Sequence, residues 1–260
     1  MNRKVYHLVP VGIALHVYRE RLFTEFQVYL LLKSWVGGHC QLTPMLMARL
    51  AAHLKNSTRT IARAVSRLRK MNWLGYCPGN GRTYVRGLDT LRIIEAVPVR
   101  LAVWFDIDKV QNVEAFTLAV AFGSFVRAQK VRVWRERLGA GQKGTAHQPK
   151  RPTALPSFYP VALSLIEKEC KVSRSTVSRG RKAAMLAGFL AVQKGKPEHL
   201  NIKTPEGYLT GFPEMRGRLF CQGGKWYVRA TDKVQTFITY KRRRPLKQRF
   251  PRALVDNVLR

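Results

Sequence analysis

Leu46, Leu50 and Leu54 recur every fourth residue after Thr43-Pro44, a spacing that lays one apolar stripe along a helix. Thr43 offers a capping hydroxyl, and Pro44 suits the first helical position. A short turn is expected at Lys55-Asn56. Ser57 then caps a second helix whose first amides stay open to an anion. On that helix Val65 and Leu68 fall within about 40° of Ile61 at 3.6 residues per turn. Arg59, Arg63, Ser66, Arg67 and Lys70 gather on the opposite side. Trp73-Leu74 closes the helix into a core. Pro78-Gly79-Asn80-Gly81 predicts a tight turn between two strands, with Arg82 and Arg86 alternating onto one side of the returning strand. Upstream, the apolar run Phe23 to Trp35 predicts a helix opening near Glu25, and Val9 to Leu15 reads as a strand.

The pattern occurs twice. Ile166 to Val177, followed by Arg179 and Phe189-Leu190, repeats Leu50 to Ile61, Arg63 and Trp73-Leu74 at a constant offset of 116. Ser57 thereby matches Ser173, and Thr60 matches Thr176. Further upstream Val97 to Val103 repeats the strand at an offset of 88, and Val113 to Phe125 repeats the long helix. The growth in offset requires an insertion, placed at about residues 127–152. That stretch holds eight basic residues and one acid, with Gly139, Gly141 and Gly144 inside it and Pro149 and Pro152 near its end. It predicts a short basic helix to Leu138 and then a mobile loop. The second copy departs from the first, with Cys170 in place of Leu54 and Glu167 in place of Ala51. Its candidate binding residues are Ser173, Arg174, Ser175, Arg179 and Lys182. Leu186 also points outward, and Arg181 turns inward. Its hairpin is expected as Gln193 to Pro197 followed by Leu200 to Lys203, presenting Lys194 and Lys196.

Beyond residue 205 a hairpin is expected from Arg218 to Val228, turning at Gln222 to Lys225, and another strand from Val234 to Tyr240. Lys241, Arg242, Arg243 and Arg244 form a run that reads as a flexible phosphate-binding arm or minor-groove probe, or else as a solvated tail.

Charge narrows what such a pattern meets. The 260 residues include 47 Lys plus Arg against 15 Asp plus Glu, a formal net charge of +32. It is spread along the chain: +11 over residues 1–90, +12 over 91–205 and +9 over 206–260. A chain this basic calls for a polyanionic partner, nucleic acid or an anionic membrane. Hydrophobic residues make up 46%, enough for a packed core. The longest apolar stretch, near Ala115 to Val126, is too short to span a bilayer, and Arg3-Lys4 precedes no cleavage site. No membrane partner is therefore expected, and the location is expected to be cytoplasmic. Cys40, Cys77, Cys170 and Cys221 lie far apart, and His39-Cys40 lacks partners at ligand spacing, so no metal or cofactor is expected. Asp106 and Asp108 form a close acid pair, Tyr240 beside Arg242 is a conceivable nucleophile, and no phosphate-binding nucleotide loop occurs. These do not make a catalytic constellation, and no enzymatic activity is expected.

The motif Leu50-Ala51-x-x-Leu54-x-x-Ser57-x-x-Thr60-Ile61, ending in a bulky pair and a hairpin, resembles the winged-helix family of DNA-binding domains. Val172 to Arg179 resembles it again. The chain is similar in architecture to plasmid replication initiators built from two winged-helix domains. The resemblance implies an α+β fold with two winged helix-turn-helix domains in tandem, over residues 1–95 and 96–205. The basic insertion would sit in the second domain, and a β-hairpin with a basic C-terminal arm would occupy 206–260. It implies double-stranded DNA as the partner, met by recognition helices, wings, insertion and arm. The process implied is replication initiation, or an accessory role on a plasmid, phage or mobile element, as a homodimer or an assembly on repeated sites. Two alternatives stay open. One is a transcriptional regulator using the same domains. The other is an RNA-binding or ribonucleoprotein component, in which Tyr84, Trp226 and Tyr227 stack on bases.

Overall fold

A computed structural model describes residues 5–79, 81–97, 101–141, 156–202, 204–211 and 218–242. Proline has no amide hydrogen to give a ladder, and Pro10 stands where the backbone changes from strand to helix. Strand β1 (Tyr6–Pro10) ends on it, and helix α1 (Val11–Arg19) begins at the next residue. The expected strand from Val9 to Leu15 is thus corrected to a helix from Val11 onward. The reason is burial. Val11, Ile13, Ala14, Val17 and Tyr18 are all enclosed, so the helix has no wide polar face to reveal its period.

Helix α2 (Phe23–Val36) matches the expected run and is buried over most of its surface. It leads through β2 (His39–Cys40) to α3 (Pro44–Leu54), α4 (Thr58–Lys70), β3 (Leu74–Cys77) and β4 (Arg82–Val85). Helix α5 (Leu88–Ile94) closes the first half. The second half opens with β5 (Leu101–Asp106) and a 3₁₀ turn, Ile107–Asn112. The long helix α6 (Val113–Gly141) follows, and it carries three residues further than the expected break at Leu138. The loop expected after it lies outside the described residues. Next come β6 (Tyr159–Pro160), α7 (Leu163–Cys170), α8 (Arg174–Leu186), β7 (Leu190–Gln193), β8 (Glu198–Leu200) and α9 (Pro205–Gly211). Strands β9 (Leu219–Gln222), β10 (Lys225–Val228), β11 (Lys233–Thr236) and β12 (Tyr240–Arg242) complete the described chain.

The fold is α+β, with the described strands in four small antiparallel sheets ordered β1-β5-β12, β2-β4-β3, β6-β11-β7 and β8-β10-β9. The offset of 116 holds in the backbone itself. Helices α4 and α8 start and end 116 residues apart, as do β3 and β7. Lys55 and Lys171 both adopt the left-handed conformation that ends the preceding helix, at φ 53° and 54°. Asn72 and Gly188 do the same at φ 60° and 73°. Amide-to-carbonyl bonds recur in step: Trp73 to Leu68 and Phe189 to Ala184, each 2.9 Å. Ring packing recurs as well. Phe26 meets Trp73 edge-on, and Phe116 meets Phe189 in the same way.

The sheets correct one expectation in the second half. Strand β8 does not return along β7. In the first half β4 lies between β2 and β3; in the second, β11 takes that place between β6 and β7. The turn that spans residues 78–81 in one copy is replaced by residues 194–232 in the other, and β8, β9 and β10 form their own sheet within that excursion. The expected hairpin from Arg218 to Val228 is present as β9 and β10. The strand expected from Val234 to Tyr240 is instead two, β11 and β12. The expected division at residue 205 coincides with no boundary in the sheets, because β11 and β12 return into layers begun upstream.

The halves join along β1 and β5, paired antiparallel from Tyr6↔Asp106 to Pro10↔Ala102. Antiparallel neighbours are related by a two-fold axis. Hydrogen bonds cross the seam in both directions. Arg19 Nε donates to the Glu169 carbonyl at 2.7 Å, and Gln111 Nε2 donates to the His53 carbonyl at 2.5 Å. His53 and Glu169 are 116 residues apart, each next to the end of the helix that precedes the capped one. One continuous apolar core runs through both halves, from Val9 to Val234.

Candidate nucleic-acid interface

Helix α4 is amphipathic because its apolar residues recur at three- and four-residue steps. Ile61, Ala64, Val65 and Leu68 are buried against the core. The same steps bring Arg59, Arg63, Ser66, Arg67 and Lys70 to the solvent, and all five are exposed. Ser57 is exposed too, but its hydroxyl is committed: Oγ accepts from the Thr60 amide at 3.1 Å, the cap that starts the helix.

The guanidinium groups differ in their freedom. Arg59 and Arg63 have no hydrogen bond or ion pair with any described residue. Arg67 Nη1 lies 3.2 Å from Glu25 Oε1, a carboxylate that α2 holds in the core boundary with its side chain only 11% exposed. Arg69, which is not among the residues the sequence pattern marks for binding, donates to Thr83 Oγ1 on β4 at 3.1 Å. Thr83 is buried, so Arg69 sets the hairpin against α4. Its i+1 spacing from Leu68 hid it, because it belongs to neither clean face.

The β3–β4 hairpin carries two of the expected residues in different roles. Arg82 is exposed and makes contacts of its own. Arg86 is half-buried. Its Nη2 and Nε donate to Asn72 Oδ1, at 2.6 and 3.2 Å, and its guanidinium lies 5.1 Å from the Tyr84 ring. Arg86 thereby braces β4 against the end of α4. Beneath it the fully buried Trp73 donates from Nε1 to Glu95 at 2.6 Å, and His16 meets the same carboxylate at 3.3 Å.

In the second copy Ser173, Arg174, Ser175, Arg179 and Lys182 are exposed. Ser173 Oγ accepts the Thr176 amide at 3.4 Å, the counterpart of the Ser57 cap. The α8 front is less basic than the α4 front, since Ala183, Met185 and Leu186 stand where α4 has Arg67, Arg69 and Lys70. Leu186 is 91% exposed. Ala115 and Ala183 replace Glu25 and Arg67, so the ion pair is absent from both sides at once. Arg181 turns inward as expected and pairs with Asp232 at 2.7 Å. Asp232 also accepts the Gly195 amide, tying down the segment that carries the exposed Lys194 and Lys196. Gly180 lets α8 approach α6: a Cβ there would lie 2.5 Å from Leu118 Cδ2.

The expected C-terminal arm begins inside a strand. Lys241 and Arg242 belong to β12, which pairs with β5. Lys241 is exposed, with Nζ 5.3 Å from the Trp104 ring. The Tyr240 hydroxyl, below it, bonds the Val120 carbonyl of α6. A hydroxyl held there serves the fold, and burial pushes its ionisation well above the ordinary tyrosine range. Arg243 and Arg244 lie outside the described residues. Asp106 caps the 3₁₀ turn by accepting the Asp108 amide. Among the described residues no group of three or more His, Cys, Asp or Glu side chains could hold a metal, and no helix is long and apolar enough to cross a membrane. Comparison with protein-family models, with curated proteins and with solved structures finds no match for this chain.

Proposed function

We propose that the protein binds double-stranded DNA through two winged helix-turn-helix units, with α4 and α8 as recognition helices. The observation that carries this reading is the α4 front. Four basic side chains stand exposed on one face of a helix that is second in its pair, capped, and followed by a hairpin. An α-helix of this kind fits the major groove, where Arg reads guanine or grips phosphate. The net charge of +32 supports a polyanionic partner. The two-fold seam supports a target made of two opposed half-sites. They would be unequal, because α4 offers arginines where α8 offers Ala183, Met185 and Leu186.

The process this arrangement serves best is initiation of replication, or accessory binding, on a plasmid, phage or mobile element. Two readers in one chain suit occupation of repeated sites without prior dimerisation. The test is selection of duplexes from a random pool, followed by binding isotherms over a salt series. Arg63→Ala is expected to weaken the selected duplex by about tenfold. A phosphate-gripping residue such as Lys70 is expected to lower the salt slope by about one when removed. Undiminished binding by both Arg59→Ala and Arg63→Ala would overturn the reading.

A further inference from the structure

The excursion that replaces the hairpin turn in the second half builds a surface of its own. The registers Tyr227↔His199 and Tyr227↔Phe220 place His199, Tyr227 and Phe220 in one row across β8, β10 and β9. Residues directly opposite in neighbouring strands share a face. The rings touch: His199 and Tyr227 have centroids 5.4 Å apart, and Phe220 and Tyr227 lie 5.5 Å apart within 22° of parallel. Arg229, two residues beyond Tyr227, sets its guanidinium 5.5 Å from the Phe220 ring and so stands on the same face. Lys225, two residues before Tyr227, alternates onto that face as well.

The adjacent rows, Leu200–Trp226–Cys221 and Glu198–Val228–Leu219, face the other way. They contain the sheet's buried residue, Val228, and Glu198, the one acid on its described strands. The aromatic row is half-buried to exposed. One face therefore holds the sheet's buried residue and its acid, and the other presents rings and cations with no described acid.

We infer that this face is a stacking platform for single-stranded nucleic acid. Ring faces are matched by unpaired bases, and Lys225 and Arg229 by the phosphates that join them. A duplex hides its base faces and offers the rings nothing. Strands lie about 4.8 Å apart, so the row spans two or three splayed nucleotides. The platform adds a second site to the duplex-binding reading, and each fails separately in the experiment that follows.

The full chain is titrated into three fluorescein-labelled probes: a 15-mer of thymidylate, a 15-mer of uridylate and a 15-base-pair duplex. The thymidylate strand is expected to bind the wild type. Tyr227→Leu weakens that binding about tenfold, the loss of one base–ring stack, whereas Tyr227→Phe retains it. The exposed His199→Ala weakens it less. All three variants hold duplex affinity within about twofold, while Arg63→Ala moves the duplex arm alone. Uridylate binding as tight as thymidylate extends the platform to RNA; weaker binding restricts it to DNA. Should Tyr227→Leu fail to fold, 5-iodouracil strands crosslinked to the wild type are expected to mark Tyr227, His199 or Phe220. Absence of single-strand binding, equal binding by Tyr227→Leu, or crosslinks confined to other elements would overturn the inference.

Discussion

Arg67 stands on the exposed front of α4 and is also paired with a carboxylate of the fold. Its Nη1 rests 3.2 Å from Glu25, whose side chain is 11% exposed while that of Arg67 is 52% exposed. The pair is thus lopsided. Water screens the cation and reaches the carboxylate poorly, so the attraction itself is worth about 1 kcal/mol. Removing Arg67 costs more than that, because it leaves a charged group in a place that hydrates badly. We expect Arg67→Ala to destabilise the chain by about 2 kcal/mol, a drop of about 4 °C or more in Tm for a protein of this size. Glu25→Gln should cost under about 1 kcal/mol, since its released partner is already half in water. The double variant should be more stable than Arg67→Ala alone, with a coupling of about 1 kcal/mol that shrinks at high salt. Urea unfolding of the four proteins at low and high ionic strength measures these terms. Arg63→Ala is the control, because Arg63 holds no described partner. Equal unfolding midpoints for Arg63→Ala and Arg67→Ala, or a null coupling, would refute the reasoning. On duplex DNA, Glu25→Gln should bind more tightly than wild type, with Arg67 released to a phosphate.

Other substitutions probe the packing behind the interface. Gly180→Ala drives a methyl to 2.5 Å from Leu118 Cδ2 and 3.3 Å from the Tyr18 hydroxyl, and should cost about 1–3 kcal/mol by thermal unfolding. Ser57→Ala and Ser173→Ala each remove a cap and should cost about 1 kcal/mol, most visibly as faster amide exchange in the first turns of α4 and α8. Burial raises the Cys170 thiol from 9.0 to about 12, with Glu169 reinforcing the shift, and burial raises the Tyr18 hydroxyl from 10.0 to about 12. In both cases the fold favours the protonated form. That stability is whole below about pH 9 and drains away as pH climbs through the folded values near 12. A series of urea unfolding curves from pH 8 upward should therefore fall steadily, and Cys170→Ala should fall less between about pH 9 and 12, while Cys40, Tyr18, Tyr29 and Tyr240 still contribute to the slope. A flat alkaline limb would exclude it.

The helices that position the interface were legible because local chemistry and burial agreed. Thr43-Pro44, Ser57 and Ser173 mark helix starts by capping, and each has its cap bond in the structure. The apolar steps of α4 survive intact because only one of its sides is covered. Helix α1 was misread for the converse reason: enclosed by the seam, it has few polar positions to punctuate its period. The partner of β7 was misassigned because the sequence supplies a local candidate at Leu200 to Lys203, whereas the ladder closes on Lys233 to Thr236, across an excursion with a sheet of its own. Pairing at that separation leaves no short-range turn signal. The bracing roles of Arg69 and Arg86 were equally invisible, since a surface arginine reads alike whether it meets a ligand or a neighbouring strand.

The strand pair at the centre, with its reciprocal bonds from Arg19 and Gln111, is an interface that two identical subunits would have to share. Subunits encoded by one gene inherit every substitution in duplicate, so neither can specialise without the other. Carried on one polypeptide, the same junction releases that constraint. One side has a compact turn and a helix crowded with arginine, while the other lacks the Glu–Arg contact and holds a three-stranded sheet where the first has its turn. The asymmetry between the halves is what joining them in series makes accessible.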